Sequence, residues 1–283
     1  MTSNFITQYE NIKSNYSVPH LINKEKHVLF VLESPHIDEL LAQAPVSGKS
    51  GKSMTNVLFP FQNDALGIKL KREPDNFIGI VNICSIPMQE IAYNHPNVVS
   101  RYNPTKKAIA TKSFFEALES IRTNPRLQYL DEEKNELQEA ILNDFKEEMM
   151  KLEGQELLLI PCGKTATTFL NMSGVSSPNW TILEGIPHPS FNQWKRKTIA
   201  MQILDMKLKI SDMYWKDKTT QPHEVLKAII EQQAISVEEL SFSIDIDTHI
   251  ITNIIEGQLQ IPSELAEKLS KYFAIPIKYL TIP

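Results

Sequence analysis

Cysteine is nearly missing from this sequence. Only Cys84 and Cys162 occur in 283 residues, too few for a disulfide framework or for a four-cysteine zinc or iron–sulfur site. They read as two small buried hydrophobes in a reducing compartment. Long apolar runs are missing too. No stretch approaches the ~18 consecutive apolar residues of a membrane span, and residues 1–26 hold nothing like the apolar core of a secretory leader. The expected location is therefore the cytoplasm, with no membrane partner. No internal repeat or low-complexity tract stands out, and there is no excess of basic charge to mark the whole chain as a nucleic-acid binder. The formal net charge is −5. It is concentrated in residues 221–283, which carry nine acids against four lysines, leaving 25 acids and 25 bases in the first 220 residues.

What is present is ordinary globular material, 42% hydrophobic and long enough for two domains of roughly 100–200 residues. Four apolar runs predict strands: His27–Leu32, Asn76–Val81, Glu156–Ile160 and Trp180–Leu183. Continuous runs of this kind suit a parallel sheet buried on both faces. Between them, helical periodicity recurs in Ala110, Phe114, Ala117, Leu118 and Ile121, and again in Leu137, Ile141, Phe145, Met149 and Leu152. Strands alternating with helices predict a three-layer α/β/α domain around a central four-stranded parallel sheet. The texture changes at Thr219–Pro222 to short helices, which predicts an α/β domain over residues 1–218 and a small all-α domain over residues 223–283.

In parallel sheets, function sits just past the carboxyl ends of the strands. There this sequence holds Glu33-Ser34-Pro35-His36-Ile37-Asp38-Glu39 after the first strand, Asn82 after the second, and Pro187-His188-Pro189-Ser190 after the fourth. A loop, Ala44 to Gly51, follows the first group. Its Gly48-Lys49-Ser50 and Gly51-Lys52-Ser53 suggest a phosphate-binding P-loop, but the glycine that motif needs five residues earlier is Gln43 or Val46. The P-loop is excluded, and the small residues are expected to let the backbone bend close to a ligand. Each polar residue also has an ordinary structural use: His188 as a packed turn residue, Asn82 as a strand-end hydrogen-bonder, Lys195 to Lys197 as a solvated helix start.

Taken together and in order, these strand ends resemble the uracil-DNA glycosylase superfamily over about residues 25–215. The first loop, with Pro45-Val46-Ser47-Gly48-Lys49-Ser50-Gly51, resembles that family's first motif. Asn82 falls where its base-reading asparagine stands, and His188-Pro189-Ser190-Phe191-Asn192 resembles its second catalytic motif. The resemblance implies a monofunctional DNA glycosylase, with DNA carrying a damaged or modified base as its partner and with no cofactor or metal. Glu33 is the first candidate to orient water and stabilise a cationic sugar, Asp38 the second. His188 would donate to the departing base, Asn82 would read a flipped base's pairing edge, and Ser34, Pro35 and Val46 would line the base pocket. Contacts to DNA would come from Ser47, Lys49, Ser50, Lys52, Ser190, Asn192, Lys195 and Arg196, and Phe191 or Trp194 would wedge into the gap left by the base. Ser34 replaces the aspartate that activates water in the uracil-specific branch, which leaves the general base open, and Val46 replaces the family's stacking phenylalanine, which points to a bulkier pyrimidine such as a modified cytosine of phage DNA. The rival expectation is a protein that binds an altered base without cleaving it and acts as a regulator.

Residues 223–283 resemble λ-repressor-like helix-turn-helix domains. Ser236-Val237-Glu238-Glu239 has the form of a capping box, Asp247 to Glu256 of a third helix closed by Gly257, and Pro262 suits the first turn of a fourth. The expected core is Leu226, Ile230, Leu240, Ile250, Ile254, Leu265 and Leu269. The expected recognition helix exposes Asp247, Thr248, His249, Thr252, Asn253 and Glu256 with no cation, so a homodimer or protein partner is at least as well suited to it as DNA.

Overall fold

A computed structural model describes residues 4–218 and 220–281. The four apolar runs form four strands, β1 (Val28–Leu32), β2 (Ile78–Asn82), β3 (Leu157–Pro161) and β4 (Trp180–Ile182). They pair in the order β2-β1-β3-β4 and every pairing is parallel. The first three strands are buried at every residue, because side chains alternate between two covered faces. Leu29, Val31, Val81, Leu157 and Leu159 share one core with the helices Asn4–Tyr16, Lys112–Thr123, Glu132–Met150 and Lys164–Ser173. On the other face Val28, Phe30, Ile80 and Ile160 are equally buried, and the helix Leu66–Arg72 lies against β2. The chain is therefore a mixed α/β protein with helices on both faces of a parallel sheet. Each fully buried aliphatic strand residue contributes roughly 1.5–3 kcal/mol of burial.

Two details position the functional region. The chain leaves β1 to build β2 on one side and returns to build β3 on the other, so the carboxyl ends of β1 and β3 flank a topological switch point. Pairing also continues past the short edge strand β4: Leu183 N–H donates to Leu159 O at 2.8 Å, and Ile186 bridges Cys162. That extension carries His188 to the end of β3. Both cysteines are buried and free, and burial pushes the Cys84 thiol up to about 12.

The chain divides into two compact units, one running to Ser53 and resuming over Asp64–Gln193, the other made of Met54–Asn63 and the residues from Trp194 onward. The second unit is all-helical: Ala200–Trp215, Pro222–Gln233, Val237–Ile244, Thr248–Ile255 and Ser263–Phe273. It reaches upstream of residue 223 because Trp215 is buried in its core and Asp212 accepts from Tyr279 Oη at 2.8 Å. The segment Met54–Asn63 joins it through Gln62 Nε2, which donates to Gln232 O at 2.9 Å. The Ser236 capping box forms as expected, with the Ser236 hydroxyl accepting from Glu239 N–H and the Glu239 carboxylate from Ser236 N–H.

Three expectations for this unit need correction. Ile250 is 37% exposed while Ile251, at 1%, takes its place in the core beside Ile254; three- and four-residue spacing both bring a side chain to the Ile254 face, so the rotation of the packed helix decides between them. Asp247 lies before its helix, not within it, and caps it by accepting from His249 N–H. Pro262 likewise precedes its helix as the capping residue. Among the described residues no helix is long and apolar enough to cross a membrane.

Candidate active site

Glu33 follows β1 directly, and its carbonyl accepts from Cys84 N–H at 3.1 Å, continuing the β1–β2 pairing. Its side chain does not stand alone. Arg122, in the last turn of the helix Lys112–Thr123, donates from Nη1 to Glu33 Oε1 at 3.0 Å, while its Nε and Nη2 both go to Glu119. Hydrogen bonding first to Glu119 and then to Glu33 raises the guanidinium pKa further above its usual value.

His188 stands at the end of β3. The backbone N–H of Ser190 points at His188 Nδ1 from 3.2 Å, and Ser190 Oγ lies 2.9 Å from the same nitrogen. A backbone N–H can only donate, so Nδ1 is the acceptor and the proton of the neutral ring is on Nε2. Burial lowers the imidazole's pKa and the nearby Glu33 carboxylate opposes that shift. The site therefore holds a neutral imidazole with an Nε2–H donor, within electrostatic reach of a carboxylate. Gly163, just past β3, makes this possible: its φ is +91°, and a Cβ there would lie 3.0 Å from His188 Cβ.

Asn82 is the last residue of β2, in register with Leu32. It is only 2% exposed, and its Nδ2 is buried with no hydrogen-bond partner. A buried amide left unpaired costs about 1–3 kcal/mol, which a ligand acceptor would recover. Its backbone N–H donates to His20 Nδ1 at 3.3 Å, and burial lowers the pKa of that second imidazole.

The first loop differs from expectation. Lys49, Ser50 and Lys52 lie in the first turns of a helix, Lys49–Leu58, with both lysines exposed. Gly51 and Gly67 receive the loop's own backbone: a Cβ on Gly51 would collide with Val46 O, and one on Gly67 with Pro45 O. Val46 is buried at φ +43°, an uncommon conformation for a β-branched residue, and strain of that kind collects at functional loops. Ser47 Oγ donates to Ala44 O at 2.7 Å. Asp38 is exposed and lies against Gly48, where a Cβ would collide with its Oδ2. Glu39 accepts from His36 N–H at 2.7 Å, and burial raises its pKa. Pro35 is buried and Ser34 half-buried beside Glu33.

Beyond His188 there is no immediate helix. Two short 3-10 turns, Ser190–Lys195 and Lys197–Ile199, come first. Phe191 and Asn192 both have positive φ, +54° and +52°, and Phe191 is 87% exposed. Trp194 is 2% exposed and so is not available as a wedge. Ser190 is turned toward His188, not left free for a phosphate. Lys195 and Arg196 are exposed in the second unit.

The first unit thus brings together Glu33, Asn82 and His188 at the carboxyl ends of β1, β2 and β3. Sequence reasoning missed Arg122, Glu119, His20 and Gly163. Only Gly163 carried a local signal, a glycine between a strand and a helix. Arg122 stands 89 residues from Glu33 and could be found only through the fold.

Fold and site define an α/β protein with a polar site at the switch point of a parallel sheet. No family model matches the chain, and no curated protein matches it either.

Proposed function

We propose that the chain is a monofunctional DNA glycosylase that hydrolyses the bond between deoxyribose and a flipped, non-canonical base, leaving an abasic site. The observation that carries this reading is the Nε2-protonated neutral imidazole of His188 within reach of the Glu33 carboxylate, at the switch point. Breaking the glycosidic bond sends its electron pair to the base, and His188 Nε2–H donates to the base oxygen where that charge gathers. The sugar carbon becomes cationic, and Glu33 stabilises it and orients water. The water oxygen forms the new bond to carbon, and its proton passes to a carboxylate. The unpaired Asn82 Nδ2 suits a base acceptor on the pairing edge. Phe191, exposed in a strained turn, suits the gap left by an extruded base. Lys49 and Lys52 would meet phosphates on the first unit, and Lys195 and Arg196 on the second.

With valine at position 46, the favoured substrate is a bulkier pyrimidine than uracil, such as a modified cytosine of phage DNA. The second unit reads best as a helix-turn-helix-like appendage that takes a protein partner or a second copy, since residues 221–283 are net negative. The protein would work in the cytoplasm.

The test incubates the chain with oligonucleotides carrying uracil or a substituted cytosine, then cleaves abasic sites with alkali. Release of the substituted base, abolished by Glu33→Ala and by His188→Ala, supports the reading. Preference for uracil removes the larger-pocket part of it. The rival, a base-binding protein without cleavage, draws on the Glu33–Arg122 pair, which already neutralises the carboxylate. Tight binding of altered DNA with no base release would favour it.

A further inference from the structure

Arg122 and Glu33 form an unusual pair for a protein surface. Both side chains are largely buried, and they join a helix to a strand end 89 residues away. The helix that carries Arg122 is fixed: Phe114, Leu118 and Ile121 are fully buried in the sheet core, and Thr111 caps its start by accepting from Phe114 N–H. Arg122 itself is fixed a second time. Glu119, one turn earlier, takes both Nε and Nη2, which sets the plane of the guanidinium fork. One nitrogen, Nη1, is left to aim, and it meets Glu33 Oε1. Glu33 Oε2 has no hydrogen-bond partner among the described residues. The three side chains hold two acids and one base, so the group keeps an excess negative charge that the Glu33–Arg122 pair alone would lack.

Resting on the glycosylase reading above, we propose that Arg122 is the positioning residue for Glu33, with Glu119 holding the guanidinium, so that the carboxylate stays turned toward His188 and the reacting sugar carbon. An ordinary surface ion pair would contribute about 0–1 kcal/mol to stability and leave the site indifferent to its loss. A positioning group has a different signature. Holding a carboxylate within an ångström of its working place is worth about 100-fold in rate. The direction of the effect on His188 also separates two roles. If Arg122 only neutralises Glu33, removing the cation raises the His188 midpoint. If Arg122 holds Glu33 in place, removing it lets the carboxylate turn away into solvent, and the midpoint falls. The charged groups in play are Glu33, the one group opposing the burial shift of His188, and Arg122 and Glu119 behind it.

The experiment uses the full chain and the variants Arg122→Gln, Arg122→Lys, Glu119→Ala and Glu33→Gln, each first checked for a wild-type melting profile. The His188 imidazole is titrated by NMR, and single-turnover base release is measured on an oligonucleotide the native protein accepts. The expected result for Arg122→Gln is a His188 midpoint lowered toward the Glu33→Gln value. Its base release should be about 100-fold slower with KM nearly unchanged. Arg122→Lys should restore part of both effects, and Glu119→Ala should show them in weaker form. A midpoint that rises or stays still in a folded Arg122→Gln protein overturns the proposal. If the native chain releases no base from any substrate, the glycosylase reading falls, while the His188 titration still decides whether Arg122 positions Glu33.

Discussion

Gly163 and His188 are in contact so close that a methyl group at the Gly163 Cβ position would stand 3.0 Å from His188 Cβ, on a backbone whose φ is +91°. Replacing Gly163 by alanine meets both a steric and a conformational penalty, about 1–3 kcal/mol of stability. Because the neighbour that must yield is His188 itself, base release should fall at least about tenfold beyond what the stability loss explains. Thermal melts together with release rates, taken well below the melting temperature, check this. A Gly163→Ala protein with native activity would show that the contact does not aim the imidazole.

Burial lowers the pKa of both His20 and His188 from the ordinary value near 6.5. As pH falls through about 6.5 the unfolded chain takes up protons at both rings before the folded chain does, so stability falls with pH. Their contribution is complete above about pH 6.5 and is lost as pH drops through the lower folded values. Glu39, raised by burial, acts in the opposite sense at more acid pH. Urea midpoints at about pH 7.5 and 5.5 should show the loss, and the double variant His20→Asn/His188→Asn should shrink the difference between them.

Phe191 and Trp194 lie three residues apart with opposite surroundings, 87% and 2% exposed. Phe191→Ala should leave stability within about 0.5 kcal/mol and slow base release from duplex DNA more than from single strands. Trp194→Ala should cost about 3–5 kcal/mol of stability through the cavity it leaves. Equal effects of the two changes on melting would contradict the assignment.

In the second unit, Ile251→Ala should cost about 2–5 kcal/mol and Ile250→Ala well under half of that. Chemical denaturation of the two variants side by side decides it, and the reverse order would restore Ile250 to the core.

The four strands were legible because continuous apolar runs have few alternatives in a chain of this composition, and the two long amphipathic helices because their apolar residues repeat on one face. The helix at Lys49–Leu58 was not, since Gly48 and Gly51 suggested a loop, and the short helix Leu66–Arg72 carried no periodic signal of its own. Gly51 accommodates the backbone of Val46, Gly67 that of Pro45, and Gly48 the side chain of Asp38, contacts that no local pattern records. Ile250 and Ile251 show the same limit on a smaller scale. Ile250 and Ile251 point about 100° apart around their helix, and which of them meets the core depends on how the packed helix is turned.

Glu33, Asn82 and His188 were placed by the sequence itself, because each follows an apolar run, and in a parallel sheet the ends of such runs lie along one edge. The tertiary structure decided how those groups are set. It gave Glu33 its partner Arg122, fixed the His188 proton on Nε2 through the Ser190 backbone, left Asn82 Nδ2 unpaired, and separated exposed Phe191 from buried Trp194. Position along a strand follows from hydrophobic pattern, which is local. Hydrogen-bond partners, tautomer and exposure follow from which distant segments the fold brings together.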